Sequence, residues 1–124
     1  MRWLATRAVR ALAITTEEAD AASVVIRLKG EVDLYTCPEL KQELLRVIAD
    51  GATFVVVDLS ETTFIDSTGL GVLIRGVERL QAGDGRLAVV CTDPNMRKVF
   101  EITGLNRVFT IYSSRDEALA QVPS

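Results

Sequence analysis

The chain has 124 residues, a formal net charge of −3, and 48% hydrophobic against 25% charged residues, a balance that fits one soluble globular domain. That acidity argues against a nucleic-acid partner, which needs a clustered basic face, and the apolar runs fall far below the roughly 18 residues of a membrane-spanning helix. Histidine is absent altogether, so serine or cysteine nucleophiles activated by imidazole and zinc held by imidazole are both excluded.

Residues 1–10 stand apart, with Arg2, Arg7 and Arg10 interleaved with Trp3, Leu4, Ala8 and Val9 and no apolar core of a secretory signal. They read as an N-terminal extension of uncertain order. Residues 11–16 and 23–29 then read as neighbouring strands, the second β-branched and closed by Gly30. Thr36 and Glu39 have capping-box spacing around Pro38 and start a helix, with Leu40, Leu44, Leu45 and Ile48 on its apolar face and Asp50-Gly51 as its stop.

Residues 53–58 form a strand apolar on both faces, as in the middle of a covered sheet. An exit loop follows, and near Ser67 a second helix begins, its core face marked by Leu70, Leu73, Ile74 and Val77. Residues 86–91 make another strand. Thr92-Asp93-Pro94 opens a third helix with Met96, Val99 and Phe100 on one face and Gly104 past its end. Residues 108–111 give a last short strand, and Ser114 with Glu117 caps a terminal helix through Leu119. Strands alternating with helices call for α/β architecture. Cys37 and Cys91 are too few and too far apart for a disulfide framework, so both are expected to be buried, free thiols in a reducing compartment.

The informative stretch is Phe64-Ile65-Asp66-Ser67-Thr68-Gly69-Leu70-Gly71. It sets a hydroxyl where chain meets helix, and such a hydroxyl can attack, cap or accept a phosphoryl group. Attack lacks support, because Ile65 stands where a nucleophile elbow needs glycine and no histidine can take the proton. Capping by Asp66 or Ser67 is worth roughly 1 kcal/mol and fits helix physics. It leaves Gly69 and Gly71 unexplained, since glycine inside a helix costs about 0.5–1 kcal/mol relative to alanine. Both glycines are therefore expected to face a partner, either letting its backbone approach or keeping Ser67 open.

Together with Asp58-Leu59-Ser60, Gly30-Glu31-Val32-Asp33 upstream and Thr103-Gly104-Leu105 downstream, this stretch resembles the STAS domain of bacterial anti-sigma factor antagonists over residues 11–120. The resemblance implies a single α/β domain with a mixed sheet of about four to five strands and helices packed mainly on one side. It implies a protein without enzymatic activity, cofactor or metal, cytoplasmic, that binds an anti-sigma factor serine kinase to free a sigma factor. Phosphorylation by that kinase switches it off, and a metal-dependent phosphatase reverses the mark. The resemblance places the phosphoacceptor at Ser67, with Thr68 as second choice, and acidic neighbours at Asp33 and Asp66.

Tyr35, Thr36, Gly69, Gly71 and Arg75 complete the expected partner surface. Asp58 reads as a structural cap at a strand end. At a helix start, free N–H groups and the helix dipole are expected to hold a phosphate dianion without disturbing the fold. The alternative reading is a scaffold or transporter-associated interaction module in which Ser67 only caps.

Overall fold

The computed structural model describes residues 12–121. Two strands open it, β1 (Ala13–Glu18) and β2 (Ser23–Val32), followed by α1 (Cys37–Ala49), β3 (Phe54–Ile65), α2 (Ser67–Gln81), β4 (Arg86–Val90), α3 (Pro94–Thr103), a 3₁₀ turn (Leu105–Arg107), β5 (Thr110–Tyr112) and α4 (Arg115–Leu119). The strands make one sheet in the order β1-β2-β3-β4-β5, antiparallel between β1 and β2 and parallel thereafter. Because β2 to β5 advance in one direction through right-handed crossovers, α1, α2 and α3 must lie on the same face. Leu40, Leu44 and Val47, Leu73, Val77 and Leu80, and Met96 and Phe100 are among the residues these three helices bury there, against Ile26, Leu28, Val55, Val57 and Val89 of the sheet.

The opposite face is smaller. Val25, Phe54, Val56, Ala88 and Val90 are covered there by Ala118 and Leu119 of α4. Arg115 at the start of α4 reaches Glu17 of the edge strand at 2.6 Å, and the Arg86 guanidinium lies 5.0 Å from the Phe54 ring centre. Helices on mainly one side of a mixed five-stranded sheet agree with what the resemblance implies, and Cys37 and Cys91 are buried and free. Among the described residues, no helix is long and apolar enough to cross a membrane.

Several local expectations are corrected. The exit loop after Asp58 does not exist, because β3 continues to Ile65 and pairs Glu61, Thr62, Phe64 and Ile65 with Lys29, Gly30, Glu31 and Val32. Two register shifts each add a residue to β3, one at Leu59-Ser60 opposite Leu28 and one at Thr63 beside Gly30 at φ 120°, and the Thr62 hydroxyl donates to the Leu28 carbonyl at 2.9 Å. Leu45 and Val99 point outward at 37% and 44% exposure, while Val47 takes the core place in α1. The last strand is Thr110–Tyr112, displaced by the 3₁₀ turn that follows Gly104.

Thr36 does not cap α1 with its side chain. Its hydroxyl instead donates to the Glu31 carbonyl at 2.8 Å and accepts the Asp33 amide at 2.9 Å. The arginine-bearing residues 1–10 lie outside the described residues.

The seating of α2 turns on its first glycine. A Cβ at Gly69 would stand 2.7 Å from Val32 Cγ1 and 2.8 Å from Ile65 Cγ1, so this position faces inward, onto the ends of β2 and β3. The expectation that it faces a partner is corrected: glycine is there because the helix lies against two strands. At Gly71 a Cβ would meet nothing. Gly69→Ala is therefore expected to destabilise the fold by about 1–3 kcal/mol through overpacking, and Gly71→Ala to stabilise it by up to about 1 kcal/mol through helix propensity. Urea unfolding of the two variants reads both signs.

Candidate functional site

The parallel strands β2 and β3 end at Val32 and Ile65, and the loops that follow them meet at one end of the sheet, where open α/β folds place their binding sites. The Asp66 amide donates to the Val32 carbonyl at 3.0 Å, so strand pairing extends to the residue before α2. Asp66 then adopts extended backbone and caps the helix. One oxygen of its carboxylate accepts the amides of Thr68 at 3.0 Å and Gly69 at 3.1 Å, and also the Thr68 hydroxyl.

That cap shifts the carboxyl below its ordinary range. The Thr68 hydroxyl is the largest cause, partial desolvation opposes it, and the amides of Gly69, Thr68 and Leu34 assist. The loop after β2 lies beside this helix end, its Asp33, Leu34 and Tyr35 lining the same hollow as Asp66. In that loop Asp33 is buried and organises its neighbours, accepting the amides of Tyr35 at 2.9 Å and Thr36 at 3.0 Å.

Ser67 is the first residue of α2, exposed, and its hydroxyl makes no hydrogen bond among the described residues. Of the two capping candidates, Asp66 is the cap and Ser67 is not. This also corrects the expectation of free helix amides waiting for a phosphate, because those of Thr68 and Gly69 are already taken by Asp66. A dianion on Ser67 is left to project outward, beside a carboxylate of like sign.

Glu31, Asp33, Leu34, Tyr35, Phe64 and Asp66 line one open hollow at this end. Three of them are apolar or aromatic and well exposed: Leu34 at 62%, Tyr35 at 66% and Phe64 at 47%. Of the residues picked from sequence, the hollow brings together Asp33, Tyr35 and Asp66, next in sequence to Ser67. Thr36 is buried behind the loop and shapes it. Arg75 is exposed two turns along α2, and Gly71 leaves open space near the helix start.

Leu34 and Phe64 were missed by sequence reasoning. Phe64 would be expected to alternate inward or outward with its strand, and only the register shifts in β3 decide that it faces out. Asp58, read as structural, is buried and accepts the Ser60 amide at 2.9 Å and hydroxyl at 2.6 Å. Cys91 is buried, and that burial pushes its thiol up, away from nucleophilic reactivity. Among the described residues no group of carboxylates and thiols is placed to hold a metal ion.

Comparison with known proteins places the geometry in a family. Residues 13–118 match the STAS domain. The anti-sigma-B factor antagonist of Listeria monocytogenes is 30% identical over 106 residues, covering 86% of this chain and 93% of that protein. The crystal structure of an anti-sigma factor antagonist from Mycobacterium paratuberculosis is 34% identical with a TM-score of 0.81, over 90% of this chain and 93% of that one. The Bacillus cell fate determinant SpoIIAA in its phosphorylated form is 28% identical with a TM-score of 0.72, over 90% of this chain and all of that one.

Asp66 titrates lower folded than its ordinary value of about 3.9, so its capping contribution is complete above that value and disappears as pH falls through the lower folded one. Asp66→Ala is therefore expected to cost about 1 kcal/mol at pH 7. The gap between wild type and variant should narrow below about pH 4. Denaturant unfolding at pH 7 and pH 3 measures both.

Proposed function

This chain belongs to the STAS-domain, anti-sigma factor antagonist family, and we propose that it binds an anti-sigma factor serine kinase, thereby freeing a sigma factor, until phosphorylation of Ser67 switches it off. The observation that carries this reading is the exposed Ser67 hydroxyl, without a hydrogen bond among the described residues, at a helix start whose cap is made by its neighbour. A hydroxyl held as a cap would have to be released before it could react. Further support comes from the phosphorylated form known for the Bacillus relative.

The surface for the kinase is the end of the sheet that carries Ser67, with Tyr35, Asp33 and Asp66, to which Leu34 and Phe64 are added, and Gly71 and Arg75 along α2. Gly69 and Thr36 contribute by shaping this surface from behind. The protein is a regulator rather than an enzyme, works in the cytoplasm, and has its phosphate removed by a separate phosphatase.

Switching needs no rearrangement of the fold. A phosphate adds about −1.5 to −2 charges and several times the volume of a hydroxyl. A partner fitted closely around Ser67 must desolvate that charge or withdraw, and about 3 kcal/mol of penalty weakens binding more than a hundredfold.

With the kinase and magnesium ATP, phosphate is expected on Ser67 by mass spectrometry. Ser67→Ala should take none and remain bound to the kinase, while Ser67→Asp should bind it more weakly in a pull-down titration. The reading fails if wild type takes no phosphate on Ser67 or Thr68 and the two variants bind alike.

A further inference from the structure

Two hydroxyls, Ser67 and Thr68, stand side by side at the start of α2, and the kinase must choose between them. We infer that Asp66 makes that choice: its carboxylate fixes Thr68 and leaves Ser67 as the acceptor. The inference rests on the switch reading above and adds a specificity-determining residue to it.

The contrast between the two side chains is geometric. The Thr68 hydroxyl donates to Asp66 Oδ1, and the amide of Thr68 donates to the same oxygen at 3.0 Å, so backbone and side chain of one residue are held at a single point. Thr68 is also partly buried, and its β-branched side chain has few rotamers to exchange. Ser67 is exposed, unbranched and unbonded among the described residues.

In the transfer, the hydroxyl oxygen attacks the γ-phosphorus of a nucleoside triphosphate. An O–P bond forms, the bridging bond to the nucleoside diphosphate breaks, and the hydroxyl proton passes to a base on the kinase. Ser67 can enter that reaction by turning about one bond. Thr68 must first break a charge-assisted hydrogen bond and swing its oxygen out from under the cap.

The bond to Asp66 restrains Thr68 without activating it. A useful base titrates near the working pH, and this carboxyl is held below the ordinary aspartate range by the hydroxyl itself and by the amides it caps. Among the described residues, the other charged groups lining the same hollow are the acidic Glu31 and Asp33. Among the described residues no cation lines that hollow, so a dianion on Thr68, whose hydroxyl is bonded to Asp66 directly, would sit against that carboxylate without compensation there.

Site-resolved phosphorylation tests this in the full chain. Wild type, Asp66→Gly and Asp66→Asn are each incubated with the anti-sigma factor kinase and magnesium ATP, and the Thr68-to-Ser67 phosphate ratio is read by fragment mass spectrometry. Glycine keeps most of a helix cap's stability, so Asp66→Gly is expected to stay folded, which a thermal melt checks. Asparagine keeps an oxygen that can accept from Thr68.

The ratio is expected to rise about tenfold in Asp66→Gly, the factor equivalent to about 1.4 kcal/mol, and to stay near wild type in Asp66→Asn. A purely structural cap would slow both hydroxyls together and leave the ratio unmoved, which would overturn the inference. So would an Asp66→Gly protein that takes no phosphate on either residue, since Asp66 would then govern the whole reaction and not the choice. Wild type without phosphate contradicts the switch reading itself.

Discussion

The carboxylate of Asp66 carries the arrangement at the working end of this protein. By accepting two helix amides and one hydroxyl on a single oxygen it starts α2, ties down Thr68, and leaves Ser67 with nothing to do inside the fold. The Asp66 backbone amide, donating to the Val32 carbonyl at 3.0 Å, fastens the same residue to the end of β2. Remove that acceptor and the amides of Thr68 and Gly69 and the Thr68 hydroxyl lose their partner, while Ser67, which makes no bond to it, does not.

Everything behind Asp66 serves to keep it in place. The central parts of β2 and β3 bury their apolar residues on both faces, and their ends converge because β3 runs through two register shifts to reach Ile65 beside Val32. Gly69 lets α2 lie directly on those two residues. A larger side chain there would lift the helix start away from the sheet and move Ser67 with it. The rigid part of the molecule thus ends where the exposed hydroxyl begins, and an added phosphate meets solvent or a partner without disturbing the core.

How far the sequence could be read follows from which forces are local. Capping spacing at Asp66, the helical period of Leu73 and Val77, and the β-branched runs of β2, β3 and β4 are local, and the elements built on them were legible. Non-local pairing was not: residues 59–65 look like a polar loop until Gly30 and Thr62 are seen to pair across a bulge. The same bulge decides that Phe64 faces outward, so one of the three apolar or aromatic residues around the site was hidden. Thr36 and Glu39 had the spacing of a capping box, yet the Thr36 amide donates to the buried Asp33 carboxylate, and its hydroxyl donates to the Glu31 carbonyl and accepts the Asp33 amide. Gly69 was conspicuous in sequence for the right reason, its cost in a helix, but only the packed structure tells an inward close approach from an outward one.

The motif pointed to Ser67, and the structure changes what that residue is. It is an uncommitted hydroxyl, presented by a cap that belongs to its neighbour, on a surface carrying exposed Leu34, Tyr35 and Phe64. Calorimetric titration of the anti-sigma factor kinase with protein stoichiometrically phosphorylated on Ser67, and with the unmodified protein, is the most direct test. The account predicts an unchanged melting profile and an affinity at least about a hundredfold weaker for the phosphorylated form. Equal affinities for the two forms would contradict it.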